Sequence, residues 1–431
     1  MLFALVITLL TALAFGLAPA LRVTGGHVAE SLRAGRADTG DVRSRRFRRG
    51  LVISEVALAV VLLVCSGLVW QSLTRMLWVD PGFRPERTVT AQITLGSDYP
   101  DSSSVAFWRT LLTNLDGKGG IEAAGATDTP PLSGGGIFTS IRLLDQPPRP
   151  ADQPLMSTIR SVTPGYFQAM GIPVLAGHDL EWNESGPSMV VSAAAAKAFW
   201  PHQPVTDKQI AFHQEPKGKP VVGEVGDTHE ASLATPPAPV VYVSMRRYQR
   251  VFRTMTLVVR GRGDIAALTQ TIRGALHELD PGLPLYNVQS LQTIVDQSTA
   301  QTRLQTLLLV VFGASALLLA ALGIYGVISY SVTQRRQEMG VRLALGAAPG
   351  GLLGLVIGEG VALTAIGVVV GAVGASFTTA LVQSLLFGVG RGDLMTFAAV
   401  AVGLVGVAVA ASFVPARRAM RIDPIIALRG E

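Results

Sequence analysis

The chain has 431 residues, of which 49% are hydrophobic and only 15% charged, with a mean hydropathy of +0.40. A soluble protein of this length carries about a quarter charged residues, so the deficit excludes an ordinary soluble enzyme and points to segments that cross a membrane. The net charge of +6 comes from arginines beside apolar runs, with no zinc-finger or RNP-type motif, so a nucleic-acid partner is not expected.

Five runs approach the roughly 20 apolar residues needed to span a bilayer: Leu2–Leu21, Leu51–Trp70, Leu307–Tyr330, Leu352–Ala375 and Thr396–Val414. The first lacks a basic leader and is longer than a secretory apolar core, so it reads as a true span, segment 1–21. Segment 22–49 is a loop with eight arginines (22, 33, 36, 43, 45, 46, 48, 49) against Glu30, Asp38 and Asp41. A second span follows over 50–73, with Glu55 a turn inside it and within reach of Arg48 or Arg49.

The block 78–303 is long enough for a folded domain, and its patterning is mixed α+β. Residues 87–95, 188–192, 220–228, 239–245 and 255–261 read as strands, and 104–115, 193–200 and 264–280 as helices. The last of these stops at Pro281-Gly282. No HExxH metal site, GxSxG elbow or GxxxxGK[ST] phosphate loop occurs in it. "LSGGG" (132–136) looks superficially like the signature loop of ABC ATPases, but it follows Pro130-Pro131 and reads as a glycine-rich surface loop.

The segment 304–431 carries the last three spans. Between the first two of them lies "QRRQEMGVRLALGAAPG" (334–350), a charged bridge that the spacing predicts as helix over Ser331–Leu345, ended by Gly346 and Pro349-Gly350. Glu338 and Arg342 stand at i,i+4, and Val341, Leu343, Ala344 and Leu345 place apolar surface among the charges. Glu359 sits two turns into the following span, where a carboxylate serves either a helix–helix hydrogen bond or a functional polar contact. Gly354 with Gly358, and Gly367 with Gly371, have the spacing that allows close helix approach. Arginines in the first loop, in the bridge (335, 336, 342) and in the tail (417, 418, 421, 429) put all three in the cytoplasm and the large block outside.

The bridge segment "LGIYGVISYSVTQRRQEMGVRLALGA" (322–347) and the tail "VPARRAMRIDPIIALRGE" (414–431) resemble the FtsX/MacB-like permeases of bacterial ABC transporters. So do "VTPGYFQAMGIPVLAGHDL" (162–180), "VVGEVGDT" (221–228) and "LDPGLPLYNVQSL" (279–291) in the block, and "LTALAFGLAPALR" (10–22) with "LVISEVALAVVLLVCSGLVWQSL" (51–73) near the start. The resemblance implies a polytopic α-helical protein of about five spans with a large α+β extracytoplasmic, MacB-like periplasmic core. In that scheme the first span closes an earlier permease half. "HQPVTDKQI" (202–210) departs from the family's usual Asp-Pro-x-Gly turn.

By the same resemblance the chain is not an enzyme but a transporter permease subunit of the bacterial inner membrane that binds no cofactor. ATP is then used by a separate cytoplasmic ABC ATPase. The helix Arg335–Ala347 (Arg335, Arg336, Glu338, Met339, Gly340, Val341, Arg342, Leu343, Ala344, Leu345, Gly346, Ala347) is implied to couple to that ATPase. The other implied partners are a second permease half, membrane lipid and a periplasmic adaptor, with efflux or export as the outcome. The alternative is a non-transporting FtsX-like regulator of a periplasmic cell-wall hydrolase.

Overall fold

The computed structural model describes residues 39–420, apart from 97–98, 100, 148–149, 151–152, 184–185, 187, 213–216, 246–252, 346–347, 382–386, 389 and 391–392. The expected span Leu2–Leu21 lies outside the described residues. Residues 66–309 with 382–390 form one compact unit, and the remaining helical segments form a second.

Four helices among the described residues are long and apolar enough to cross a membrane: α1 (Thr39–Leu77), α6 (Leu291–Gln334), α8 (Pro349–Leu381) and α9 (Leu394–Met420). They contain the second to fifth runs expected from the sequence. α8 packs along α9, and glycines set the approach of α8 to α1. A Cβ on Gly367 would stand 2.7 Å from Val56 Cβ, and one on Gly371 2.6 Å from Val60 Cβ, so only glycine admits the α1 backbone here. Gly354 and Gly358, at the same spacing, have nothing within 4 Å of an added Cβ. The two motifs are alike in sequence, and of their glycines only the Gly367 and Gly371 positions press on α1 among the described residues.

The other unit is built on strands. β1 (Thr88–Thr94), β10 (Thr254–Gly261), β2 (Ile121–Thr127) and β11 (Tyr286–Ser290) form a sheet in the order β11-β1-β10-β2. Alternation along β1 sends Val89 and Ile93 to one face and Thr88, Thr90 and Gln92 to the other. The apolar face meets Val259, Leu257 and Met255 of β10 in register, and α2 (Asp101–Leu115) and α5 (Ile265–Leu279) cover it. α5 buries Leu268, Ile272, Ala275 and Leu276, a helical stripe, and Asp264 caps its start by accepting from Ala267 N at 2.7 Å.

β4 (Leu155–Val162), β3 (Ile137–Leu143), β7 (Gln209–Phe212), β8 (Lys219–Val225), β6 (Met189–Ser192) and β9 (Val240–Ser244) continue the sheet. β9 pairs back onto β4 in parallel, closing these strands into a barrel. Its interior holds Ile141, Ile159, Val191, Phe199, Trp200 and Val241, partly from α4 (Ala193–Phe199). β5 (Val174–Gly177) adds to β8, and the short α3 (Tyr166–Met170) packs in the apolar cluster that also holds Val162, Val225 and Tyr242.

The strands and helices expected within this unit all form. β2, β3, β4, β5, β7, β11 and α3 were not expected. In the departing segment 202–210, His202 and Asp207 take left-handed conformations (φ 59 and 70), the geometry a glycine-containing turn ordinarily supplies. Residues 132–136 form a loop, as read from the sequence, and a Cβ on Gly136 (φ +130) would press to 2.8 Å on Arg160 Nη1.

Candidate functional site

The last turn of α6, the start of α8 and the polar end of α1 converge on Glu359. Its Oε1 is ion-paired with Arg49 of α1, and its Oε2 accepts from Ser331 Oγ of α6 at 3.2 Å, with Arg335 Nη1 at 3.9 Å. The Glu359 side chain is 16% exposed. An uncompensated carboxylate in lipid costs about 2.5–3.5 kcal/mol at the bilayer centre, and the two arginines and the hydroxyl remove that burden.

Arg45, Arg48 and Arg49 share a helical face by their i, i+3, i+4 spacing. Arg45 Nη2 donates to Gln334 Oε1 at 3.0 Å, and the Arg48 guanidinium lies 3.9 Å from the centroid of the Tyr330 ring. All three arginines therefore bind the same end of the bundle, and together with Ser331 and Glu359 they line a small cleft. Arg418 Nη1 of α9 donates to Tyr325 Oη at 3.4 Å on α6. Glu359 thus makes hydrogen bonds and ion pairs between helices.

Glu55 takes a different place. Of the two readings open for it, solvated or paired with Arg48 or Arg49, its exposed side chain fits the solvated one, and those arginines are engaged elsewhere. Its carboxylate lies against Gly323 of α6, where an added Cβ would come within 2.2 Å of Oε2.

The bridge is a separate helix rather than an extension of α6. α6 ends at Gln334, Arg335 turns away with φ −96 and ψ 17, and α7 runs Arg336–Ala344. The expected uninterrupted helix over Ser331–Leu345 is broken there because Arg335 leaves helical geometry. The backbone stays bonded through the bend, Arg335 N to Ser331 O at 3.2 Å and Met339 N to Arg335 O at 2.9 Å. Met339 and Gly340 are buried against the chain. Arg336, Glu338, Val341, Arg342, Ala344 and Leu345 are exposed and Leu343 is half-buried, with Leu345 83% exposed. Arg342 Nη2 donates to Glu338 Oε1 at 2.6 Å, with the acid in the first turn and the base in the last, as the helix dipole favours. Gly346 and Ala347 lie outside the described residues.

Of the expected residues, the structure brings Arg335 to Glu359 and leaves Glu55 apart from both. The residues missed from the sequence are Arg45, Tyr330, Ser331 and Gln334. The arginine spacing was a signal for a shared face, but nothing local named its acceptors.

The model of the FtsX-like permease C-terminal domain matches residues 310–424, which hold most of α6 and all of α7, α8 and α9. Over these residues the chain is similar to an FtsX-like permease C-terminal domain. It is 31% identical over 191 residues to the macrolide export ATP-binding/permease protein MacB of Azoarcus sp. (strain BH72), a match covering 42% of this chain and 28% of that protein. It is 28% identical over 183 residues to the uncharacterized ABC transporter permease YknZ of Bacillus subtilis (strain 168), covering 42% of this chain and 45% of that one. These matches span less than half the length of either relative. Among solved structures, the periplasmic region of MacB from Actinobacillus actinomycetemcomitans aligns with 52% of this chain and 97% of its own chain, at 13% identity and a TM-score of 0.34. The chain is a multi-pass membrane protein with an α+β domain between its membrane helices.

Proposed function

We propose that this chain is the permease subunit of an ABC transporter of the bacterial inner membrane. α7 docks on a separate cytoplasmic ATPase, and the strand-rich unit is extracytoplasmic. The observation that carries the reading is α7 itself. It is a short helix set off from both flanking spans, anchored by buried Met339, with Val341 and Leu345 presented beside the Glu338–Arg342 pair. Apolar side chains ringed by charge suit a protein partner better than headgroups, since the charges fix register and the apolar residues supply contact area. The arginines at this end support its cytoplasmic placement.

In this reading ATP belongs to the partner and this chain binds no cofactor. ATP-driven closure of the partner moves α7, and α6, one uninterrupted helix from Leu291 to Gln334, carries the displacement. The outcome is efflux or export, with a second permease half and a periplasmic adaptor as further partners. The test is purification in mild detergent with identification of what co-elutes. A stoichiometric ABC ATPase, lost on replacing Val341 and Leu345 by Ser, supports the reading. Its absence from intact, folded protein overturns it.

A further inference from the structure

The polar face of the β11-β1-β10-β2 sheet holds a cavity that the coupling role does not use. The alternation that sends Val89 and Ile93 to the helices places Gln92 and Thr256, register partners on β1 and β10, on the opposite face. Both line a cavity of about 140 Å³ together with Asn287, Gln289, Asp128 and Ser133. That is close to the volume that accepts one benzene-sized group. Hydroxyls, carboxamides and one carboxylate face the cavity beside apolar surface that includes Pro130 and Ile294. Asn287, held in a left-handed conformation (φ 43), donates to Gln92 Oε1 at 2.7 Å. Thr256 is 3% exposed and lines the cavity.

The charge beneath the cavity is unbalanced. Arg160, 1% exposed, gives Nε to Glu230 Oε2 at 2.8 Å, and Glu230 Oε1 accepts from Thr228 Oγ1 at 2.8 Å. Asp128 sits within the field of the same guanidinium and accepts from Ser161 N at 3.2 Å and Thr127 Oγ1 at 3.1 Å. One guanidinium therefore faces two carboxylates, and of these Asp128 opens on the cavity. The surplus negative charge asks for a cation, and the hydroxyls and carboxamides around it ask for hydrogen-bonding neighbours on that cation.

We propose that this cavity binds a protonated primary amine flanked by hydroxyl or amide groups, with the ammonium on Asp128 and its neighbours on Thr256, Gln92 and Gln289. This chemistry is shared by amino sugars and by the N-terminus of a peptide. The site is independent of the α7 reading and stands or falls without it.

The test uses the full chain in detergent micelles, titrated by calorimetry with D-glucosamine, with glycylglycinamide and with uncharged N-acetylglucosamine. Binding of glucosamine ahead of the peptide marks an amino-sugar site, and the reverse order marks a peptide N-terminus. In either case Asp128→Asn is expected to weaken binding about tenfold and Thr256→Val about threefold, since a hydrogen bond to a charged group is worth more than one between neutral groups. Both variants are close in shape to the native residue, and a retained thermal transition confirms folding. Binding of neither amine, equal binding of the acetylated sugar, or binding unchanged in both variants overturns the proposal. So does calcium binding at Asp128 that excludes the amines, which would make the cavity a metal-ion site.

Discussion

Arg49 and Glu359 are 310 residues apart and meet as an ion pair between α1 and α8, with Ser331 and Arg335 on the second carboxylate oxygen. The same carboxylate therefore ties two spans together and reaches the residue at which α6 gives way to α7. Movement of α7 relative to the spans has to be accommodated at Glu359. Replacing Glu359 by Gln keeps a hydrogen-bonding shape for Ser331 but removes the negative charge that balances both arginines. Arg49 is 36% exposed, so the stability cost is expected near ~1 kcal/mol rather than that of a fully buried pair. Thermal melts of Arg49→Gln, Glu359→Gln and the double variant should be non-additive, and strict additivity rules out the pairing.

Exchanging Glu338 and Arg342 together (Glu338→Arg, Arg342→Glu) preserves an i,i+4 pair on α7 while reversing the charges that it presents. The helix loses only about 0.5 kcal/mol from the poorer orientation and dipole match. Membrane insertion should be unchanged and partner ATPase stimulation lost. Full stimulation by the exchanged variant eliminates α7 as the docking element.

The two glycine pairs give a matched comparison. Gly371→Ala places a methyl 2.6 Å from Val60 Cβ and 2.7 Å from Ala57 O, so it must push α8 off α1 and lower the melting temperature. Gly354→Ala meets open space and removes a flexible residue from a helix, which is expected to stabilise by about 0.5–1 kcal/mol. A melting series on the two variants decides it, and equal losses would mean that Gly354 also faces a partner.

Burial pushes the Asp128 carboxyl above its ordinary range, against the pull of Arg160 and of its hydrogen bonds to Thr129, Thr127 and Ser161. A carboxyl raised on folding favours the folded state while protonated. Its contribution is fully present below about pH 4, the unfolded value, and is lost as pH rises through the folded value. Asp128→Asn, with Glu230 left to pair with Arg160, should therefore melt higher than the native chain at pH 7.5 and equal to it near pH 4. A variant less stable than the parent at pH 7.5 refutes this.

Topology is accessible to labelling because the sequence has one cysteine, Cys65, which is buried. Ser133→Cys, on the exposed loop, should react with an impermeant thiol reagent added outside cells, and Ser44→Cys only after permeabilisation. The opposite pattern inverts the arrangement proposed for α7.

The membrane helices were legible because each needs only a continuous apolar run, a property carried by neighbouring residues. Alternation exposed β1 and β10 in the same way, and the spacing of Leu268, Ile272, Ala275 and Leu276 exposed α5. β4 was not legible, since "LMSTIRSV" puts Arg160 where an apolar residue is expected. That arginine is buried only because Glu230, seventy residues on, is brought to it when β9 closes on β4. Sequence by itself determined which of the described segments form helices long and apolar enough to cross a membrane, which residues sit at the bridge and how charge is divided among the loops, because these follow from local composition. Only the tertiary structure decided that Arg49 takes Glu359 and leaves Glu55, that Gly371 rather than Gly354 meets α1, and that α7 bends away at Arg335. Each of these depends on which distant group arrives to compensate a charge or fill a space, and no local pattern encodes that.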